Sequence, residues 1–281
     1  MAQTTLPGKK ERTTAEMLAE KQQSISISEF FTKNRHLLGF DNPRKALLTT
    51  VKEAVDNSID ACLEMRVLPE IKIIIDDLEN DRYKVTVEDN GPGVVKQQIP
   101  NIFAKLLYGS KFHRLKQGMG QQGIGISAAA LYGQLTTGKP IRILSKIGPQ
   151  AKAHYYELHL NTKTNEPEIV VDEERNWEGK EHGIKVQIEL EGKYQQGKLS
   201  VDEFLQLTAI SNPYATLIYK APNTDAIVFT RVNTELPKET KEIQPHPYGI
   251  ELGTLLRMLK ETKASSLLHF LQTNKEHTFV I

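Results

Sequence analysis

The sequence predicts an α+β fold, in which helices pack on one face of a mixed, mostly antiparallel sheet and a small helical unit follows. Beyond residue 140, strand-like segments far outnumber helices, whereas a parallel sheet needs a crossover helix between its strands. The chain of 281 residues, 39% hydrophobic and 25% charged, is large enough for a substantial core and a second, smaller unit.

Composition also limits the classes of function. The net charge of +1 gives no overall signal for nucleic-acid binding, although local basic patches remain possible. The single cysteine, Cys62, excludes an intramolecular disulfide framework and a cysteine zinc cluster. The polar N-terminus lacks the apolar core of a signal peptide, and no apolar run reaches the roughly 18 residues of a membrane span. We therefore expect a cytoplasmic protein that makes no membrane contact.

The first strong element is a helix over residues 42–66. Asn42 stands at its N-cap and Pro43 at its first position, which is a typical helix start. Apolar residues then recur at helical spacing on one face, namely Leu47, Leu48, Val51, Val55, Ile59 and Cys62. Before this helix we expect a mobile arm over residues 1–14 and weak helical structure over 15–38.

The following segments alternate between strand and helix signals. We predict strands over 70–76 and 82–89, a short helix near 96–107, and a helix that begins near Ile124. Further strands are predicted over 141–146, 153–160, 167–171 and 183–190, with a loop over 172–183. A helix over 201–210 and a short strand near 226–230 complete the main unit.

Four regions result. They are a flexible arm over 1–14, a main α+β unit over 15–230, a linker over 231–248 and a helical unit over 249–281. The linker is polar and contains three prolines. The last region holds two short amphipathic helices, which are too small to bury a core alone.

A glycine-rich stretch, KQGMGQQGIGISAAALYG over residues 116–133, contains G-x-G-x-x-G. It lacks the preceding strand and the later acidic residue of a dinucleotide site, and no G-K-[ST] follows as in a P-loop. What remains is a set of backbone N–H groups that could converge on an anion at a helix start, with the Ser127 hydroxyl beside them. The alternative is a flexible surface loop.

The helix over 42–66 carries Glu53 and Asn57 one turn apart, opposite its apolar face. Asparagine is a poor residue for a helix interior, so its position there needs a reason. Its amide oxygen suits a hard divalent cation that takes its other ligands from phosphate and water, and the carboxylate suits a base that orients water. The alternative is an ordinary solvated helix face.

The sequence EDNGPG, residues 88–93, follows a predicted strand and forms a turn. Asp89 at the strand end could accept a hydrogen bond from the exocyclic amine of adenine, and the glycines would let a flat base approach the backbone. The alternative is an Asx-turn that simply ends the strand.

The order E-x-x-x-N, D-x-G-x-G and a glycine-rich helix start resembles the ATP site shared by gyrase-type topoisomerases, histidine kinases, ninety-kilodalton heat-shock chaperones and MutL. This resemblance implies the Bergerat-type α/β sandwich of the GHKL ATPases. The strings LLTTVKEAVDNSIDAC, VEDNGPGV, YGSKFHR and GQQGIGISAAALYGQLTTGKP are similar to the B-subunit family of archaeal type IIB DNA topoisomerases. The helices after residue 248 resemble the start of that family's helix-two-turns-helix domain.

The resemblance implies roles for individual residues. Glu53 is expected to be the general base, Asn57 the Mg²⁺ ligand, and Asp89 the reader of adenine, supported by Gly93. The remaining residues implied to bind ATP lie in the lid and phosphate cradle: Ser110, Lys111, Gly120, Gln121, Gln122, Gly123, Ile124, Gly125, Ile126 and Ser127. Two positions depart from the family pattern, since Met119 replaces a basic residue and Ile184 replaces a threonine.

The resemblance also implies partners. These are ATP with Mg²⁺, a second copy of the chain in an ATP-dependent homodimer, duplex DNA, and the topoisomerase VI A subunit through a later transducer domain outside these residues. That domain also supplies a phosphate-binding lysine, so we expect this chain alone to hydrolyse ATP slowly. The alternatives are a nucleotide-gated binding module without productive hydrolysis, a phosphotransferase of the histidine-kinase class, and a DNA-binding piece built on the terminal helices.

Overall fold

The computed structural model describes residues 25–109, 123–239 and 249–273. Its helices in chain order are α1 (Ile27–Lys33), α2 (Pro43–Met65), α3 (Ile99–Ala104), α4 (Gly125–Thr137), α5 (Val201–Ser211), α6 (Leu252–Glu261) and α7 (Leu267–Thr273), with short 3₁₀ turns at Arg35–Leu38 and Lys96–Gln98. The strands are β1 (Glu70–Asp77), β2 (Arg82–Glu88), β3 (Ile141–Lys146), β4 (Ala153–Asn161), β5 (Glu166–Arg175), β6 (Gly183–Glu191), β7 (Thr216–Lys220) and β8 (Ile227–Phe229).

The strands form one mixed sheet in the order β5-β4-β3-β6-β2-β1-β7-β8. Within the described residues, β7 runs parallel to β1 and the other neighbouring pairs are antiparallel. Burial alternates along the strands, as in β1 and β3, so that one face is apolar and packs against α2, α4 and α5. The predicted α+β class, with a mostly antiparallel sheet, is confirmed.

Helix α2 is the main helix of this core. The Asn42 side chain accepts a hydrogen bond from the Lys45 N–H at 2.9 Å, and Pro43 stands in the first turn, as predicted. The predicted apolar face is buried except for Leu48, which is half-buried. The opposite face, with Glu53 and Asn57, is half-buried as well, so it is not an ordinary solvated face.

Two strand predictions were wrong. The predicted loop over 172–183 begins as strand, because β5 continues to Arg175, where the edge strand is charged and exposed. Its charges meet partners on the neighbouring elements: Asp172 pairs with Lys96 and Glu174 with Lys152. Strand β7 was missed altogether, although its five residues include β-branched and aromatic types; its parallel pairing with β1 joins segments that are distant in sequence.

The predicted linker is described over residues 231–239 only, and that part has no helix or strand. Its start is tied to the main unit: the Arg231 guanidinium contacts Thr216 and Glu70, and the Val232 N–H donates to the Pro213 carbonyl. The two predicted C-terminal helices correspond to α6 and α7, which bury Met258 and Phe270 in a small apolar cluster of their own. The predicted arm over 1–14 lies outside the described residues.

Candidate active site

Beside the polar face of α2 lies a cavity of about 220 Å³. Glu53 and Asn57 line it from α2, and Asp89 lines it from the end of β2. The described residues that complete its wall are Ala54, Ser58, Ala61, Val87, Val94, Ile102, Phe103, Tyr108, Gly109, Gly123, Gly125, Ile126, Ile184 and Val186. Predicted site residues from two segments that are distant in sequence, α2 and the end of β2, thus meet at one cavity.

Asp89 is almost completely buried, with 1% of its surface exposed. Its Oδ2 accepts a hydrogen bond from the Ser58 hydroxyl at 2.7 Å. Its Oδ1 accepts from the Gly91 N–H at 2.9 Å and from the Ile184 N–H at 3.2 Å. Burial raises the pKa of Asp89, and these three hydrogen bonds oppose the rise because they favour the carboxylate.

The turn that follows Asp89 is fastened on both sides. The Asn90 side chain accepts from the Glu70 N–H at 2.8 Å and donates to the Leu68 carbonyl at 3.0 Å. His182 Nδ1 donates to the Gly91 carbonyl at 2.8 Å. The Ser145 hydroxyl accepts from the Val94 N–H at 2.7 Å and donates to the Val94 carbonyl at 2.9 Å. The turn is therefore held in place by β1, β3 and the loop before β6.

Glycine is required in this turn and at the start of β6, which packs against it. Gly93 has φ of +69°, and a Cβ there would overlap the Lys146 carbonyl oxygen. Gly183 has φ of +141°, and a Cβ there would overlap the Asp89 carbonyl oxygen. Both positions combine backbone geometry that L side chains rarely adopt with a close approach of another main chain. Gly93 does not line the cavity itself; it allows β3 to pack against the turn that holds Asp89.

The N-terminus of α4 forms another part of the cavity wall. Gly123 (φ +63°), Gly125 and Ile126 line the cavity, whereas Ile124 and Ser127 are buried beside it. The Ser127 hydroxyl donates to the Ile124 carbonyl at 3.0 Å. The first N–H groups of a helix such as α4, with its 13 residues, lack partners inside the helix and attract anions.

Several predicted site residues lie outside the described residues: Ser110, Lys111, Gly120, Gln121 and Gln122, together with Met119. Their assigned roles stay predictions. Ile184 stands where the family pattern has threonine, so a hydroxyl contact from this side chain was in doubt. The structure shows a main-chain contact at this position, because the Ile184 N–H donates to Asp89. The side chain of Ile184 adds to the apolar wall.

Sequence reasoning missed Ser58 and the apolar wall that Val94, Ile102, Phe103 and Val186 contribute. Ser58 could have been noticed, because a serine next to Asn57 is a second poor helix former inside α2. The apolar wall carried no signal, because aliphatic and aromatic residues at these spacings are equally typical of a core.

A model of the family described as histidine kinase-, DNA gyrase B- and HSP90-like ATPases matches residues 46–189, just over half of the chain. The matched region begins inside α2, ends inside β6 and includes the whole set of Glu53, Asn57 and Asp89. The chain belongs to this ATPase family. Nucleotide use follows from that membership, as the resemblance of the sequence motifs had implied.

Curated relatives place the chain more narrowly within the family. It is 54% identical to the B subunit of type 2 DNA topoisomerase 6 from Methanococcoides burtonii, over 92% of this chain and 42% of that protein. The protein of the same name from Methanosarcina barkeri is 53% identical, over 93% and 42%. That from Natronomonas pharaonis is 53% identical, over 92% and 32%. The chain therefore spans less than half the length of these relatives.

No helix within the described ranges is long and apolar enough to cross a membrane.

Proposed function

We propose that this chain is the ATP-binding part of the B subunit of a type IIB DNA topoisomerase and that it binds and hydrolyses ATP with Mg²⁺ in the cavity beside α2. One observation carries the proposal. A buried acceptor, Asp89, and a carboxylate–amide pair, Glu53 and Asn57, open on the same cavity as the N-terminus of α4. This arrangement supports reading of a base at one end and binding of phosphates at the other.

Asp89 suits the exocyclic amine of adenine. An ionised carboxylate offers about four lone-pair positions, and the three hydrogen bonds from Ser58, Gly91 and Ile184 leave one more acceptor position. Because Oδ2 accepts only one of the three, the remaining position belongs to that oxygen. Val94 and Ile184 flank the site with apolar surface on which a flat ring can pack.

The phosphates fit the other end of the cavity. Gly123 and the start of α4 bring main-chain N–H groups within reach of an anion, since Gly123 has no side chain to keep a ligand away and Gly125 leaves room for the Glu53 carboxylate beside them. Asn57 offers an amide oxygen, and Mg²⁺ commonly takes only one or two protein ligands beside phosphate and water. The bound Mg²⁺ would neutralise phosphate charge during transfer.

In this proposal Glu53 is the general base. It orients a water molecule toward the terminal phosphate and accepts its proton as the oxygen–phosphorus bond forms, while the bond to the ADP oxygen breaks. The half-buried position of Glu53 keeps the carboxylate in a partly dry environment, where its effect on a bound water is stronger than in bulk solvent.

The activity of the longer protein is part of the same proposal. ATP binding joins two copies of this chain, the resulting clamp holds a duplex DNA segment, and a transducer region beyond these residues contacts the A subunit. The names of the curated relatives, each a B subunit of a type 2 DNA topoisomerase, support DNA as the substrate and another subunit as a partner. DNA as the substrate would place the protein in the cytoplasm.

Titration of the chain with a non-hydrolysable ATP analogue and Mg²⁺ tests the proposal. We expect saturable binding, a loss of about tenfold or more in Asp89→Asn, and no change in Asp76→Asn, a control at the end of β1 on the outer side of the sheet. Absence of binding in the unsubstituted chain would contradict the proposal.

Hydrolysis is tested separately by single-turnover assays. Glu53→Gln is expected to retain the analogue and to lose most of the hydrolysis, about a hundredfold or more. Hydrolysis no faster than the uncatalysed background in both the unsubstituted chain and Glu53→Gln would instead favour the nucleotide-gated binding module. Sedimentation with and without the analogue measures whether nucleotide drives dimerisation.

A further inference from the structure

The turn between β4 and β5 contacts the main chain of Leu106, which directly precedes a segment of the cavity wall. Asn165, 9% exposed and with φ of +58°, lies in this turn. Its Oδ1 accepts from the Leu106 N–H at 3.0 Å, and its Nδ2 donates to the Leu106 carbonyl at 3.0 Å. One buried amide thus satisfies both main-chain groups of a residue 59 positions away, as a neighbouring strand would.

The chain leads directly from Leu106 into the cavity wall. Leu106 is buried, Leu107 has φ of +59°, and Tyr108 and Gly109 line the cavity. The Tyr108 hydroxyl donates to Gln98 at 2.6 Å. The backbone turns sharply at Leu107. The position of Leu106, which the Asn165 amide holds, therefore determines where Tyr108 and Gly109 stand relative to the sheet.

The same hairpin also contacts α4, whose first residues form another part of the wall. The Gln134 side chain in α4 donates to the Leu160 carbonyl at 3.0 Å and accepts from the Leu160 N–H at 2.8 Å. Helix α4 begins with Gly125 and Ile126, which line the cavity. Two side-chain amides, Asn165 and Gln134, therefore connect one end of the β4–β5 hairpin to both parts of the wall.

We propose that Asn165 is a positioning residue for nucleotide binding, which acts through the Leu106 main chain on Tyr108 and Gly109. The inference rests on the proposed ATP site. Asparagine suits the position for two reasons: it tolerates a left-handed backbone, and its amide supplies one donor and one acceptor. An ionised aspartate at residue 165 would keep the acceptor and lose the donor that the Leu106 carbonyl requires.

Two substitutions distinguish the effect of the Asn165 amide from the effect of its left-handed backbone. Asn165→Gly removes the amide while it relieves the cost of a positive φ, and Asn165→Asp keeps size and backbone tolerance. Asn223→Gly is the matched control, because Asn223 has the same φ of +58° and lies in the β7–β8 turn at the other edge of the sheet. Each variant is compared with the unsubstituted chain by titration with a non-hydrolysable ATP analogue and Mg²⁺, by the KM and kcat for ATP, and by thermal unfolding.

We expect Asn165→Gly to weaken analogue binding about tenfold and to raise KM more than it lowers kcat, while Asn223→Gly leaves both unchanged. Asn165→Asp should bind weakly at about pH 8 and approach the unsubstituted chain as the pH falls through the pKa of the new carboxyl, because a protonated carboxyl again offers a donor and an acceptor. At each pH, the affinity of Asn165→Asp is divided by that of the unsubstituted chain. This ratio cancels the effect of groups that titrate in both proteins.

The outcomes are distinguishable. If the unsubstituted chain does not bind the analogue, the proposed function fails and this inference fails with it. If it binds and Asn165→Gly binds equally well, this inference alone is overturned. It is also overturned if Asn165→Gly loses affinity only in step with its thermal stability and Asn165→Asp shows no recovery at low pH, since Asn165 would then have a structural role only.

Discussion

The Glu53 carboxylate lies against the main chain of Gly125, so closely that a Cβ at residue 125 would overlap the Glu53 side chain. Helices α2 and α4 therefore approach each other at the cavity with the proposed base between them. The absence of a side chain at Gly125 is what allows Glu53 to reach this position. The glycine thus does more than expose main-chain N–H groups to phosphate, which was the role that the sequence predicted.

Gly125→Ala should accordingly impair catalysis more than binding. The added methyl group displaces the flexible Glu53 side chain, so single-turnover hydrolysis should fall about a hundredfold, with a smaller loss of analogue affinity. Gly253→Ala is the control, because no atom lies within 4 Å of a Cβ at that position. Combining Gly125→Ala with Glu53→Gln should add little further loss, and a fully additive double variant would contradict this mechanism.

Nucleotide affinity should decrease as the pH is lowered, and the decrease should begin at higher pH than for an ordinary aspartate. Burial raises the pKa of Asp89 above 3.8, and a protonated Asp89 loses an acceptor for the adenine amine. The effect on stability has the opposite sign: a raised pKa favours the folded protein at acidic pH, and this contribution is lost as pH rises through the folded pKa. The affinity for nucleotide is measured in the unsubstituted chain and in Asp89→Asn across the acidic range. The ratio of the two affinities at each pH isolates the contribution of Asp89, because titration of the nucleotide itself affects both proteins equally. Parallel curves for the two proteins would refute the assignment.

Cys62 should be nearly inert while the protein is folded. Burial, followed by the negative charge of Asp89, raises the pKa of its thiol to about 12, and the thiol donates to Asn90 Oδ1 at 3.4 Å. Because the thiolate is the reactive form, alkylation near pH 8 should be about a hundredfold slower or more than in denaturant. Rapid labelling of the folded chain would show that α2 opens locally. Slow labelling in both states would mean that the reagent, not burial, limits the rate.

The site could be predicted from sequence where local chemistry was unusual. Asn57 inside a helix and Asp89 before a glycine turn attracted attention because their residue types are costly or special at those positions. The start of α2 was predicted from Asn42 and Pro43, since capping depends on neighbours within one turn.

Contacts between distant segments could not be predicted in this way. The pairing of β7 with β1 and the bonds from Ser58 and Ile184 to Asp89 depend on tertiary packing. Asn165 illustrates the limit well, because a polar residue in a predicted turn looks ordinary until Leu106 is found beside it. Residue type indicates a site only where the local backbone already makes that type unusual.

Gly93 and Gly138 offer a matched pair for the last prediction. Both have φ of +69°, but a Cβ at Gly93 would overlap the Lys146 carbonyl oxygen, whereas a Cβ at Gly138 meets nothing within 4 Å. Alanine at either position incurs the strain of a left-handed backbone, about 1–2 kcal/mol. At Gly93 it must also push β3 away from the turn that holds Asp89, so the free energy of unfolding should fall by about 1–3 kcal/mol more than in Gly138→Ala. Chemical denaturation measures this difference, and analogue titration should show weaker binding in Gly93→Ala only. Equal losses of stability in the two variants, with affinity intact, would mean that the turn adjusts without moving Asp89.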